Sequence, residues 1–179
     1  MMKMTFGKFV LAIGAGTMLS CGNGKGVEDD YKSLIGKKIE IPYERFVPMP
    51  SETFAEASCK WTYVSFIDSL ECTPCHMSSV HNWDRIQDVF EEKGTDVKIV
   101  LVYCPRMSAV ERMTENYNIS GCKRTVYIDL KADFLKCNPQ IPENRKMHTV
   151  LLDSLNRVVL IGDPTRNGKI EEMLHEIIN

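Results

Sequence analysis

Two cysteines three residues apart, Cys72-Thr73-Pro74-Cys75, join a β-type run to a helical pattern, and that junction constrains the fold more than any other feature of the chain. Upstream, Trp61-Thr62-Tyr63-Val64-Ser65-Phe66-Ile67 is dense in β-branched and aromatic residues and reads as a strand. Downstream, Met77, Val80, Trp83, Ile86 and Phe90 recur every three or four residues, which predicts one helix over 74–93 stopped by Gly94. Positions i and i+3 are neighbours on a helical turn, so the two sulfurs can close a disulfide with little backbone movement. The first sulfur faces the orphan amides and positive end of the helix, which favour a thiolate over the free-cysteine pKa of about 8.5. Cys72 is thus the expected attacking thiol and Cys75 the resolving one.

Other readings of the pair stay open at this level. A disulfide that merely caps a helix uses the same spacing. A soft-metal site for copper, built from Cys72, Cys75 and His148, is a second alternative, and a fold used only for binding is a third. A structural zinc site needs four ligands, and the sequence has no second C-x-x-C. His76 and His81 are five apart and fall on different helix faces, so they make no ligand pair. The expectation is therefore no resident metal.

The rest of the chain alternates strand and helix signals. Lys38-Ile39-Glu40-Ile41 has the period of a short edge strand, and Val97–Tyr103 is a nearly continuous apolar run, as a doubly covered central strand should be. A second helix is expected after Pro105, with Met107, Val110 and Met113 facing the core. A short strand around Thr125-Val126-Tyr127-Ile128 and a helical turn near 132–136 follow. Thr149-Val150-Leu151-Leu152 and Arg157-Val158-Val159-Leu160-Ile161, separated by four turn-type residues, signal a hairpin before a last helix that shows Ile170, Leu174 and Ile177 on one face. The expected fold class is α/β, a central mixed sheet flanked by helices, parallel in its first part and antiparallel at its end.

The N-terminus reads as a targeting segment. Lys3 and Lys8 precede the uncharged run from Phe9 to Leu19, which is too short to span a bilayer and suits the apolar region of a secretory signal. It ends Met18-Leu19-Ser20-Cys21-Gly22, which resembles the lipobox of bacterial lipoproteins, with Cys21 the lipid attachment point. The predicted organisation is a signal peptide over 1–20, a flexible tether over 21–33 rich in glycine and acid, and one domain over 34–179. The expected location is a bacterial cell envelope, anchored to a membrane and facing the periplasm or cell surface.

Composition bounds the function classes. The 179 residues suit one domain, and 44% hydrophobic with 26% charged is the balance of an ordinary globular protein. With 22 basic residues against 24 acidic ones there is no cationic excess for nucleic acid. Seven cysteines are too few for a disulfide-knit miniprotein. Besides the pair, Cys59, Cys104, Cys122 and Cys137 have no assigned pairing; Cys104 ends a strand expected to run parallel to the one before the motif, within possible reach of Cys72 and Cys75.

The order strand, C-x-P-C, helix, strand, helix, hairpin and helix resembles thioredoxin, and the anchored setting resembles the TlpA/ResA-type thioredoxin-like lipoproteins. The resemblance covers roughly residues 34–179. It implies a thiol–disulfide oxidoreductase that carries no cofactor and takes protein thiols or disulfides as substrates, with electrons from an extracytoplasmic donor. It also implies Cys72 as nucleophile, Cys75 as resolving thiol, and a substrate loop at His148 and Thr149. The chain departs from the family at three points. Glu71 stands where tryptophan precedes the first cysteine, His148 stands where the family has a cis-proline, and Ser65 falls near the place of its buried carboxylate.

Overall fold

The computed structural model describes residues 23–49, 59–122 and 124–178. The expected signal segment over 1–20 and Cys21 lie outside the described residues. A first helix, α1 (Asn23–Leu34), opens the described chain and ends in Leu34, which is fully buried. Residues 23–33, expected as a flexible tether, are thus helical in the described structure. The acids supply helical partners, with Lys32 paired to Glu28 one turn earlier, and Leu34 docks in the core. Gly36 follows with φ +75, a left-handed turn that glycine adopts without strain, and its N–H donates to the Val158 carbonyl.

Six strands form one sheet: β1 (Val47–Met49), β2 (Trp61–Ile67), β3 (Val97–Tyr103), β4 (Val126–Ile128), β5 (Thr149–Leu152) and β6 (Val158–Ile161). Their order across the sheet is β1-β4-β3-β2-β5-β6. β2, β3 and β4 run parallel, whereas β1 on β4, β5 on β2 and β6 on β5 are antiparallel. The expected mixed sheet is the one observed. The edge strand is not where the alternation placed it. Lys38 makes one isolated bridge to Arg157, and β1, with Pro48 in its middle, takes the edge.

Helices cover both faces. α2 (Thr73–Ser78), α3 (Asn82–Glu92), α4 (Val110–Ser120) and α6 (Gly168–Ile178) pack on one; α1 and the short α5 (Asp133–Cys137) pack on the other. Alternation along β2 explains the division. Tyr63 and Ile67 face Met77, Trp83 and Phe90, while Val64 and Phe66 face Leu34 and Phe134. The helix expected over 74–93 is two helices. Ser78 and Ser79 turn their hydroxyls back onto the carbonyls of Cys75 and His76, a side-chain competition that accompanies the break before Asn82. Met107 is also corrected: it lies in a 3-10 turn before α4 and is 73% exposed, so Met113 and Tyr117 carry the buried face.

This topology assembles one edge. The parallel strands β2 and β3 end together at Ile67 and Tyr103. Strand β5 starts opposite Ser65, so residue 148, just before it, arrives at the same edge as the loop from Asp68 to Cys72.

Candidate active site

Cys72 is the cap residue of α2, and its carbonyl accepts from the N–H groups of Cys75 and His76. Pro74 sits in the first turn, where its missing N–H leaves no helical bond unmade. The two sulfurs form a disulfide with Cα atoms 5.2 Å apart. Neighbours hold the motif in place. Arg106 Nε donates to the Ser69 carbonyl at 3.0 Å, and Asn116 Nδ2 donates to the Pro74 carbonyl at 3.2 Å.

Two openings flank the motif. A shallow one of about 310 Å³ is lined by Cys72, Pro74, Leu70 and Arg106. A larger cleft of about 470 Å³ is lined by Glu71, His76, Arg145, Thr149 and Arg166. Between them runs a polar chain that sequence reading missed. Arg166 Nη2, always a donor, reaches His76 Nδ1 at 3.0 Å; His76 Nε2 then carries the proton and donates to Glu71 Oε2 at 3.1 Å. Burial raises the Glu71 pKa, but the hydrogen bond from His76, a backbone bond at Asp68 and the Arg145 charge outweigh it and hold the carboxyl below its usual range. Asp68 is half-buried and pairs with Arg145 Nε at 3.0 Å.

Ser65, at the expected place of a buried carboxylate, forms a neutral pair instead, its hydroxyl 3.0 Å from that of buried Thr149. His148 is not a solvated strand-start residue. It closes a 3-10 turn (Arg145–Met147), is 4% exposed, and packs edge-on against Phe66. Its carbonyl accepts from Phe66 N at 2.9 Å, which extends the β2–β5 ladder by one bond. Its Nε2 lies 3.0 Å from the Pro142 carbonyl. A carbonyl can only accept, so Nε2 carries the hydrogen. For a soft-metal site on Cys72, Cys75 and His148, both sulfurs are committed to the disulfide in this state.

Among the described residues the other four cysteines are unpaired. Cys104 follows β3 directly at the motif's edge, but its side chain packs with Phe66 and Phe134 on the face opposite Met77 of α2. Burial pushes its thiol pKa up, and the Asp129 and Asp68 charges add to that. Cys122 is likewise raised by burial, and Cys137 accepts from Arg45 Nη1 at 3.4 Å.

No family model and no curated protein matches the chain. Solved structures do. A protein from Chlorobium tepidum, provisionally assigned as the thiol:disulfide interchange protein DsbE, is 18% identical at a TM-score of 0.50, over 68% of this chain and 82% of that one. An uncharacterised thioredoxin-like protein from Porphyromonas gingivalis is 17% identical at a TM-score of 0.50, over 79% and 91%. The bacterioferritin comigratory protein of Xanthomonas campestris, described for its alkyl peroxide reduction, is 15% identical at 0.51, over 78% and 95%. With the strand order and the placement of the disulfide before α2, these similarities give the chain a thioredoxin-like fold.

Proposed function

We propose that this chain is a lipid-anchored thiol–disulfide oxidoreductase acting on protein disulfides outside the cytoplasm. The observation that carries the reading is the Cys72–Cys75 disulfide at the carboxyl edge of two parallel strands, with a surface opening at Cys72. In the reducing direction, the Cys72 thiolate attacks a substrate disulfide and expels one substrate thiolate, leaving a mixed disulfide. Cys75, deprotonated, attacks Cys72 Sγ and expels the second substrate thiolate. Two electrons pass to the substrate and the Cys72–Cys75 disulfide re-forms, to be reduced again by an extracytoplasmic donor.

Glu71 supports the reducing direction. A carboxylate in the residue before Cys72 opposes the thiolate, and pairs whose thiolate is less stabilised are the weaker oxidants. The anchor and location rest on the sequence from Lys3 to Cys21.

The test is a redox titration in graded glutathione buffers, with alkylation and peptide mapping of Cys72 and Cys75, beside insulin-type disulfide turnover. A reversible midpoint between about −270 and −120 mV is expected, with turnover abolished in Cys72→Ser and a trapped mixed disulfide in Cys75→Ser. A pair that stays oxidised well below about −300 mV, or wild-type turnover by Cys72→Ser, overturns the redox reading. Fatty-acid labelling that survives Cys21→Ala overturns the anchor.

A further inference from the structure

Asp68, Glu71 and His148 meet at the motif edge, each offering a ligand atom within 4.8 Å of the other two. We infer that they form a binding site for a borderline divalent cation of the zinc type, distinct from the two sulfurs and independent of the redox reading. The buried histidine carries the inference. His148 is 4% exposed, and its Nε2–H is committed to the Pro142 carbonyl. That bond leaves the lone pair on Nδ1, which is buried and has no hydrogen-bond partner among the described residues. A buried polar atom without a partner calls for an explanation. A ring nitrogen bonded to a backbone carbonyl, with the other nitrogen left without a partner, is the arrangement metal-ligating histidines adopt.

The ring is fixed as well as polarised. Phe66 packs against it edge-on, and the residue is locked between the 3-10 turn and β5. The two carboxylates sit at the mouth, with side chains 17% and 21% exposed, so an ion has a path from solvent. Arg145 and His76 hold Asp68 and Glu71 in place, while the Arg145 charge competes with the ion. Ligand atoms of a tetrahedral zinc site lie about 3.4 Å apart for bond lengths of ~2.1 Å, so side-chain rotations on the order of 1 Å suffice to close the present spacing. Three protein ligands leave a fourth position open to water. Two carboxylates and one imidazole suit zinc, manganese or ferrous iron, and lack the sulfur that would select Cu(I).

The test titrates Zn²⁺ into the purified full chain by calorimetry, with Cys72 and Cys75 oxidised and the free thiols alkylated. One ion per chain is expected, and Asp68→Asn and Glu71→Gln should each weaken binding at least tenfold. Both are part-exposed, near-isosteric changes, so they keep the test open if His148→Ala fails to fold; melting curves without metal confirm that they fold. Co²⁺ in place of zinc should give only weak visible bands. Wild-type protein that takes up no zinc, Asn and Gln variants that bind as wild type does, or an intense sulfur-to-cobalt charge-transfer band would each overturn the site.

Discussion

Asp129 directly follows β4 with no solvent exposure, and its carboxylate is the hub of the turn that starts α5. Oδ1 accepts from the N–H groups of Lys131 at 3.2 Å and Asp133 at 2.9 Å, and Oδ2 accepts from Phe134 N at 2.8 Å. Asp129→Ala removes all three acceptors. The Lys131 and Asp133 amides lie near the surface, where water can replace the lost oxygen, at about 0.5–1 kcal/mol each. The Phe134 bond is buried and leaves an unsatisfied donor, which adds about 1–3 kcal/mol. Together the loss is about 2–5 kcal/mol, a large part of the stability of a domain of this size. Urea unfolding followed by far-UV circular dichroism should show a lowered midpoint with an unchanged slope. The Cys72–Cys75 redox midpoint should not move, because Asp129 bonds to α5 and not to α2. The same variant removes a charge that raises the Cys104 thiol pKa, so Cys104 should become easier to alkylate in the folded state. A destabilisation under about 0.5 kcal/mol would refute the assignment of Asp129 as a buried cap.

Two further predictions concern the helix at the start of the described chain and the motif carboxylate. Leu34→Ala should cost about 2–4 kcal/mol in urea unfolding if α1 docks through this side chain, and almost nothing if that segment only tethers the domain. Glu71 has a folded pKa below the usual value of 4.5, so its contribution to stability is full above that value and is lost as pH falls through the lower folded pKa. The stability difference between wild type and Glu71→Gln should therefore shrink as pH falls below the usual carboxylate value, and a pH-independent difference would refute the His76 and Arg145 interactions as its source. Removing the same charge should shift the redox midpoint to more positive values.

The central sheet was legible because its strands carry their own signal. β2 and β3 have the bounds that composition drew, since both are covered on two faces and must be apolar at nearly every position. The hairpin β5–β6 announced itself by two β-branched runs around Asp153-Ser154-Leu155-Asn156, where Asp153 accepts from the N–H groups of Leu155 and Arg157. Elements whose formation depends on a distant partner were not legible. β1 is three residues with a proline in the middle, and it is a strand because β4 pairs with it. α1 has the glycines and acids of a linker; Leu34 seated among Ile39, Val158 and Phe134 makes it part of the packed structure.

At the site the same distinction separates local chemistry from long-range assembly. Cys72 and Cys75 are three apart, so their pairing follows from one helical turn. Glu71, Asp68 and His148 are spread over eighty positions, and no spacing rule joins them; the antiparallel register of β5 on β2 does. That register also explains how one position can depart from the family pattern without disturbing the sheet. The residue before β5 must deliver its carbonyl to Phe66 N, and His148 does so as well as any residue. What histidine adds is a buried imidazole whose Nε2–H is committed to Pro142, so its open nitrogen is Nδ1. Where the thioredoxin resemblance implied a proline, this position places an imidazole beside two carboxylates. A function that differs from disulfide exchange alone would therefore enter through this edge, by substitution of side chains on an unchanged backbone register.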